Sequence, residues 1–498
     1  HTEIANFDPG RSIFLGSNSQ LLATGYYRAE PNAQNLRKGE VLDGGNVNIT
    51  AAKGYLIAQQ GSLINVSGTE TTLDIVGASG LVATPVASNG GTITLAAREG
   101  MILEGDLLGR AGGSLAQGGS LAVEMDRMGK NWSFIGGTPP ALNSQRVVTL
   151  QASQTALTAG MEAGTALDTD SLNGQARLAQ SQVEAGGFAD LSLQGEHRIA
   201  FADDVDLSLA GRLSLYAPNL SAVDAAQVDL AAASVIIGNP DKDAQGEFLR
   251  NDASGGAGTL TVDAGLIELV GHSSLQGFGT TNLVSQGDIR TRDTVYEVEV
   301  DAIKSYRHDG SLTTGGDLNL AARQVYPVSM ADFALEIHNN PDGRITVTST
   351  GADSAVLSAG GKLSLAAPFI EQRGTIKAPF GEIALRSETI TRVTHSFSNN
   401  GLPSGLNDSV SLTRVATPDG EVALEAGSLT SVSAEGQIIP LGVTELSGGD
   451  WVYDFGTFKK VLTGTPEKQI DLDGDSVTMA EGARIDLSGG GDLYAYEF

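Results

Sequence analysis

A short phrase recurs along this chain, and it limits the possible folds more than any other feature. The phrase is a glycine followed by two aliphatic residues that are one position apart. In "GGKLSLAAPFIEQRGTIKAPFGEIALRS", the pair Leu363 and Leu365 returns one repeat later as Ile383 and Leu385. Such alternation of apolar and polar residues predicts a β-strand with one buried face. Each copy of the phrase is therefore expected to be a short strand.

The phrase runs through most of the chain. Further copies begin at Gly44, Gly90, Gly118, Gly186, Gly211, Ala257, Gly315 and Gly420. The pair that starts at Leu191 returns at Leu213, and the pair that starts at Ile345 returns at Leu363, so the repeat interval varies only slightly. Glycine turns between such strands leave no space for helices. Glycine suits these turns because it tolerates positive φ.

A stack of coils is the fold that fits this spacing. Helical solenoids need a period of 3.6 residues, leucine-rich repeats carry an asparagine signature, and propeller blades carry aromatic signatures. None of these occurs here. We therefore predict an all-β fold, a parallel β-helix with coils of about 18 to about 22 residues and loop or hairpin insertions. In it Leu363 lies against Ile383, and Leu365 against Leu385.

The repeat also divides the chain. We expect an N-terminal lead-in segment at residues 1–40 and a single β-helical domain at residues 41–498. Surface insertions of solenoids often carry the binding face. Insertions are predicted where the phrase is missing, near residues 125–146, 239–256, 291–310, 323–343, 395–419 and 440–468.

Charge and cysteine content exclude several functions. The 59 acidic and 31 basic residues give a formal net charge of −28. This charge repels phosphate backbones and anionic lipids, so we expect no nucleic-acid binding and no membrane insertion. The absence of cysteine excludes disulfides, thiol catalysis and cysteine-based zinc sites, and it suits an oxidising compartment.

Residues suited to catalysis form no recognisable motif. Some β-helices cleave polysaccharides, and those enzymes need carboxylates that converge on one groove. In a chain this acidic, pairs such as Asp203 and Asp204 are expected to be a solvated face. The six histidines show no metal-binding spacing, and no G-x-S-x-G motif occurs. We expect neither an enzyme nor a cofactor.

One stretch is a weak calcium candidate. "DLDGDSVTMAEG" places Asp471, Asp473 and Asp475 at alternate positions, as in the first half of a calcium-binding loop. It departs from the EF-hand pattern, which needs glycine where Ser476 stands and glutamate where Gly482 stands. On a strand, the three aspartates would instead share a solvent face.

The densest aromatic cluster is "WVYDFGTF". Trp451, Tyr453 and Phe455 alternate, so on a strand they would form one aromatic face. Such a face could bind sugar rings or a partner protein. The alternative is that this arm folds its rings down onto the β-helix.

The phrases "GGNVNITA", "GGTITLAA" and "GGKLSLAA" resemble those of filamentous haemagglutinin-type exoproteins of bacteria. The stretches Leu318–Leu335 and Ile485–Phe498 resemble a module in the C-terminal part of large members, and the resemblance covers most of Val41–Phe498. It implies a secreted, right-handed β-helical adhesin that is exported by two-partner secretion. The secretion domain read by the outer-membrane transporter has no match here. The start at His1 fits a mature protein or an excised piece, and we expect a piece because the sequence ends at "GGGDLYAYEF" without a capping element.

These features favour a rod-like segment of a secreted bacterial surface adhesin, with insertions that bind a host-cell or abiotic surface receptor, including glycans. A carbohydrate-binding or polysaccharide-cleaving β-helix is the alternative, and a pure spacer is a third. We also expect some end-to-end self-association, because the open end of a β-helix exposes unpaired strand edges.

Overall fold

A computed structural model of the chain describes residues 12–52, 54–78, 80–125, 145–154, 156–158, 160–165, 172–239, 253–300, 303–395, 409–445 and 449–497. The described chain is nearly all-β and is a parallel β-helix, as predicted. It forms two compact units: unit 1 holds residues 1–217 and 231–233, and unit 2 holds residues 218–230 and 234–498.

The elements of unit 1 are β1 (Ile13–Leu15), β2 (Gln20–Leu22), β3 (Tyr26–Ala29), β4 (Gly39–Leu42), β5 (Asn46–Ala51), β6 (Tyr55–Ala58), β7 (Leu63–Asn65), β8 (Glu70–Gly77), β9 (Gly80–Ala87), β10 (Thr92–Ala97), β11 (Gly100–Leu103), β12 (Asp106–Leu108), β13 (Ser120–Met125), β14 (Val147–Gln151), β15 (Gln175–Ala179), α1 (Gln180–Gly186), β16 (Asp190–Gly195), β17 (Arg198–Phe201) and β18 (Val205–Tyr216).

The elements of unit 2 are β19 (Asn219–Ala222), β20 (Gln227–Asn239, of which 231–233 belong to unit 1), β21 (Ser254–Ser285), β22 (Asp288–Arg292), β23 (Thr294–Val300), β24 (Ile303–Thr314), β25 (Asp317–Ala322), β26 (Gln324–Pro327), β27 (Asp332–Ile337), β28 (Arg344–Ser349), β29 (Lys362–Ala367), β30 (Phe369–Gln372), β31 (Thr375–Lys377), β32 (Glu382–His395), β33 (Ser409–Ala416), β34 (Glu421–Leu424), β35 (Leu429–Ser431), β36 (Ile438–Thr444), β37 (Trp451–Asp454), β38 (Lys459–Val461), β39 (Gln469–Asp473), β40 (Ser476–Met479), β41 (Arg484–Asp486) and β42 (Asp492–Glu497).

Three stacks of parallel strands build unit 1. Their spatial orders are β5-β10-β13-β16-β18, β1-β6-β11-β15-β14-β17 and β2-β7-β12. In the first stack Ile93 lies in register with Leu121. Leu191 follows Leu121 in the same column, and Leu213 follows Leu191. All four side chains are buried, so the interval from Leu191 to Leu213 is one coil.

Unit 2 has the same three-stack design. The orders are β24-β27-β29-β32-β39, β25-β28-β30-β34-β40 and β22-β26-β31-β35-β41. The predicted contacts of Leu363 with Ile383 and of Leu365 with Leu385 are confirmed.

The expected coil interval from Ile345 to Leu363 is wrong. Ile345 pairs with Ile370, which lies beyond Leu363 in the chain, while Leu363 follows Phe333 in another stack. Each coil has three strands, and all three carry the same apolar pattern. In the sequence, a strand of a different stack can therefore be mistaken for the equivalent strand of the next coil.

Several of the repeated glycines have a different role from the one predicted. Gly91, Gly119 and Gly381 are not among the glycines with positive φ. A Cβ on Gly91 would lie 1.9 Å from the Gly45 carbonyl oxygen, and one on Gly119 would lie 2.1 Å from the Gly91 oxygen. Successive coils approach too closely at these points for any side chain. At these positions the phrase needs glycine for backbone contact, whereas Gly360, which opens another copy, does have a positive φ of 71°.

Two predicted boundaries are wrong. Strand β1 already pairs with β6, and β2 with β7, so the coils begin near residue 13 rather than at 41. Residues 323–343 are not an insertion, because β26 and β27 belong to the coil stacks. The aromatic and proline residues of this range suggested an insertion. In the structure Phe333 is buried in the core, and Pro327 is the last residue of its strand.

Antiparallel strands interrupt the coils at several points. They include β23–β24 and β32–β33, and β36, β37 and β38 pair in the same way. These overlap the expected insertions at 291–310, 395–419 and 440–468, but the hairpin β32–β33 begins before residue 395, β24 runs past 310 and β36 begins before 440. Unit 1 contains two hairpins that the sequence analysis missed, β3–β4 and β8–β9. Most of the insertions predicted at 125–146 and 239–256 lies outside the described residues, as do residues 396–408.

A short helix contradicts the expectation that the coils leave no space for one. Helix α1 follows β15 and ends at Gly187, whose left-handed conformation forms the C-cap. Val183 is its buried apolar contact with the unit. It is the single helix in the described part of the chain.

Candidate contact surfaces on the hairpins

The predicted aromatic residues lie on the arm formed by β36, β37 and β38, which we call the aromatic arm. Trp451, Tyr453 and Phe455 pack against a buried apolar cluster. The Trp451 Nε1 donates to the Leu441 carbonyl oxygen at 2.6 Å, and the Tyr453 hydroxyl donates to the Ser329 carbonyl oxygen at 3.0 Å. Burial, followed by the charge of Asp293, raises the pKa of Tyr453. The arm therefore folds its rings down onto the β-helix, and the three do not form an open aromatic face.

Two of these rings belong to a larger aromatic stack, which we define as Tyr306, His308, Tyr453, Phe455 and Phe458. The centroids of Tyr306 and Phe458 are 5.1 Å apart, and those of Phe458 and Phe455 are 4.7 Å apart, each pair being nearly parallel. Phe455 also contacts His308 at 4.6 Å and Tyr453 at 4.8 Å. The stack joins the aromatic arm to the hairpin β23–β24.

Tyr306 is the open end of this aromatic stack, with 43% of its surface exposed. Tyr306 was not among the predicted contact residues, although Tyr306 and His308 alternate on one strand of a predicted insertion. That alternation was the available signal. Its partner rings lie far away in the sequence, beyond β36, so the stack itself had no local signature.

Carboxylates lie beneath the aromatic stack. The His308 Nδ1 is 2.7 Å from the Asp293 Oδ2, which also accepts the backbone N–H of Asp332 at 3.0 Å. Burial raises the pKa of Asp332. Lys362 and His308 oppose this shift, while Asp309 and Asp293 add to it. A raised carboxyl pKa is a property that Asp332 shares with general acids.

A serine and a histidine also meet nearby. The His272 Nδ1 lies 3.0 Å from the Ser311 Oγ, and its Nε2 lies 3.5 Å from the Asp309 Oδ1. His272 and Ser311 are register partners on neighbouring coils, and His272 is buried. This hydrogen bond therefore joins two polar residues that are aligned on stacked coils.

A buried ion cluster anchors the hairpin β32–β33. Glu336 accepts hydrogen bonds from His338, at 2.7 Å, and from Arg414, which also contacts Glu388. Burial alone would raise the pKa of Glu336. The hydrogen bond from His338 and the charge of Arg414 outweigh that effect and lower the pKa below its ordinary value of 4.5.

This cluster predicts an acid-sensitive fold. Because the folded-state pKa of Glu336 is the lower one, its carboxylate stabilises the fold fully above pH 4.5. That contribution is lost as the pH falls through the folded-state pKa. Urea unfolding at a series of pH values should show a steeper acid loss of stability in the wild type than in Glu336→Gln. The exposed Glu481→Gln is the control, and equal slopes for all three proteins would contradict this assignment.

The calcium candidate is not assembled. Asp471 forms an ion pair with Arg386 at 2.8 Å, and the Asp475 Oδ2 accepts the backbone N–H of Asp419 at 3.2 Å. Asp473 is exposed at the end of β39. Within the described ranges, no group of three or more histidine, aspartate or glutamate side chains is placed to hold a metal ion.

Exposed apolar side chains also lie at the end of the hairpin β8–β9 in unit 1. Ile75 pairs with Val82, and Val76 pairs with Leu81. All four are exposed, and Val76 is 80% exposed. We call these four residues the apolar tip. The two apolar runs around "GASG" are a hairpin signal that the sequence analysis missed.

An ion pair fixes the hairpin that carries the apolar tip. The Arg37 Nη2 lies 2.7 Å from the Asp74 Oδ1, and the Arg37 backbone N–H donates to the Asp74 Oδ2 at 2.8 Å. The side-chain hydrogen bond from Arg37 lowers the pKa of Asp74. The tip thus presents aliphatic side chains on a strand pair that is held at its middle.

Comparisons with known proteins add no relative. No family model matches the chain, and no curated protein or solved structure matches it either. Among the described residues, no helix is long and apolar enough to cross a membrane.

Proposed function

We propose that this chain is a non-catalytic, rod-like segment of a secreted bacterial surface adhesin. The observation that carries the proposal is the apolar tip, where four aliphatic side chains are held in solvent at the end of a hairpin. Contiguous exposed apolar residues mark sites of interaction with another surface. The β-helix and the resemblance of its phrases to filamentous haemagglutinin-type exoproteins support the proposal.

In this proposal the coils and the hairpins have different roles. Stacked coils give a stiff scaffold whose neighbours bury each other's apolar residues. Hairpins carry the side chains that the coils do not bury. In this proposal the partner is a receptor on a host cell or an abiotic surface, and export uses an outer-membrane transporter that reads another part of the parent protein.

Attachment through the apolar tip can be measured directly. The double variant Val76→Ser/Leu81→Ser removes aliphatic surface at positions where neither side chain supports the core. We expect binding of the labelled chain to epithelial cell monolayers and to a hydrophobic surface to fall about tenfold, as loss of two apolar contacts predicts. Circular dichroism should show an unchanged fold.

Leu115→Ser is the matched control, because Leu115 is an exposed leucine of unit 1 that is not part of the apolar tip. It should bind like the wild type. Equal binding by the tip variant and the wild type would reject the tip as the contact. Failure of the wild type to bind any of these surfaces would favour a spacer.

A carbohydrate-binding β-helix is the second candidate. Tyr306 favours it, because an exposed ring at the end of an aromatic stack can stack on the apolar face of a sugar. Under this alternative the wild type binds glycans on an array, and Tyr306→Ala abolishes that binding. Tyr26→Ala, which removes a similarly exposed tyrosine of unit 1, should leave it intact. Binding that survives in Tyr306→Ala would exclude this site, and soluble sugar products would indicate cleavage.

A further inference from the structure

A buried lysine in unit 2 touches two carboxylates that come from different coils. Lys377 ends β31 and is 1% exposed. Its Nζ lies 2.6 Å from the Asp353 Oδ2 and 3.1 Å from the Glu435 Oε2. The remaining contact of the Nζ is the Ser354 carbonyl oxygen, at 3.3 Å. The three side chains form a compact group with the amine at its centre.

The three residues are held in place by the stack of coils. Asp353 lies between β28 and β29, one coil before Lys377, and Glu435 lies between β35 and β36, one coil after it. Lys377 is in register with Ser431, and the next residue, Ala378, donates its backbone N–H to the Ser431 carbonyl oxygen at 2.9 Å. The amine and the two carboxylates therefore meet as fixed neighbours, which is the arrangement that gives intramolecular reactions their high effective concentration.

We propose that Lys377 and Asp353 form an intramolecular isopeptide bond, with Glu435 as the proton-transfer group. The Glu435 carboxylate takes one proton from the Lys377 ammonium and leaves a neutral amine. The amine nitrogen attacks the Asp353 Cγ, and a new C–N bond forms. The C–O bond breaks, and the departing oxygen receives two protons, the one held by Glu435 and one that the newly bonded nitrogen loses, so that one water molecule leaves and Glu435 is a carboxylate again. Ammonium and carboxylate thus become an amide and water, with no oxidant, metal or other reactant.

The surroundings favour this product over an ion pair. A buried ammonium group loses its hydration, whereas the amide is neutral. The carboxylates of Asp353 and Glu435 are only partly buried, so the released water has a path to solvent. The bond would close the loop that runs from Asp353 to Lys377 and tie two successive coils together. Since the chain has no cysteine, an amide is a cross-link that its residues can supply.

The test is the intact mass of the full chain, purified in its folded form. The wild type should be lighter than its sequence by the mass of one water molecule. Lys377→Met and Asp353→Ala should each have the mass of their sequences, and so should Glu435→Gln. These masses are readable even if a variant folds poorly. Lys362→Met is the matched control: it removes a lysine paired with Glu382 on the neighbouring coil, and it should keep the mass deficit.

Trypsin digestion locates the bond. The cross-link protects Lys377 from cleavage, so peptide 345–362 should appear joined to peptide 374–386. A folded wild type with the full sequence mass and separate linear peptides 345–362, 374–377 and 378–386 would overturn the proposal. A mass deficit that persists in Lys377→Met would overturn it as well, because the water would then have been lost at an aspartate elsewhere.

Discussion

Replacing Gly91 with alanine is expected to destabilise unit 1 by about 3 kcal/mol, because the new methyl group overlaps backbone rather than side-chain atoms. The Cβ would lie 1.9 Å from the Gly45 carbonyl oxygen and 2.6 Å from the Gly44 carbonyl carbon. Neither atom can move without shifting the neighbouring coil. Urea unfolding followed by circular dichroism should show this as a lower midpoint for the transition of unit 1.

Gly464→Ala is the matched control for that experiment. A Cβ at Gly464 meets no atom within 4 Å, and the residue is not among those with positive φ. The control is expected to change the free energy of unfolding by less than about 0.5 kcal/mol. If both variants unfolded alike, the close approach of the coils would not be the reason for the repeated glycine.

Replacing Leu365 with alanine is expected to destabilise unit 2 by about 2 to 5 kcal/mol, the usual loss when a buried leucine is truncated. Leu365 is fully buried in a column between Leu335 and Leu385. Coils of a solenoid are stabilised mainly by their neighbours, so the cavity weakens the interfaces on both sides. Denaturant unfolding, read by circular dichroism, measures this loss.

The same substitution at Leu357 serves as the control. Leu357 lies shortly before Leu365 in the chain and is 59% exposed. We expect little change for Leu357→Ala, since an exposed leucine gives up little buried area. A similar loss of stability in both variants would mean that the columns of apolar residues do not determine the stability of the coils.

The part of the fold that the sequence predicts is the part set by local alternation. A period of two residues fixes which face of each strand is buried, so the register of Leu363 with Ile383 could be inferred without a structure. The role of the repeated glycines could not. A positive-φ turn and a close backbone approach select the same residue, and only the spacing of the coils separates them.

The candidate contact surfaces were harder to predict for a physical reason. Alternation shows that Trp451, Tyr453 and Phe455 share a direction, but it does not show what lies in that direction. In the structure the space is filled by the apolar cluster beneath the aromatic arm. The exposed ring of Tyr306 stacks on Phe458, so its position depends on a contact between two hairpins that are distant in the sequence. Such tertiary contacts override local pattern.

The hairpin that carries the apolar tip leaves and re-enters its coil at one point. The Ser88 backbone N–H donates to the Thr69 carbonyl oxygen at 2.8 Å, and the Thr69 N–H donates to the Ser88 Oγ at 2.9 Å. These two hydrogen bonds join the ends of the hairpin, and Arg37 adds a contact from outside it at Asp74. We expect that the residues between Thr69 and Ser88 can be exchanged for another peptide while the coils above and below keep their spacing. The coils and this hairpin are in this sense separable parts of the fold.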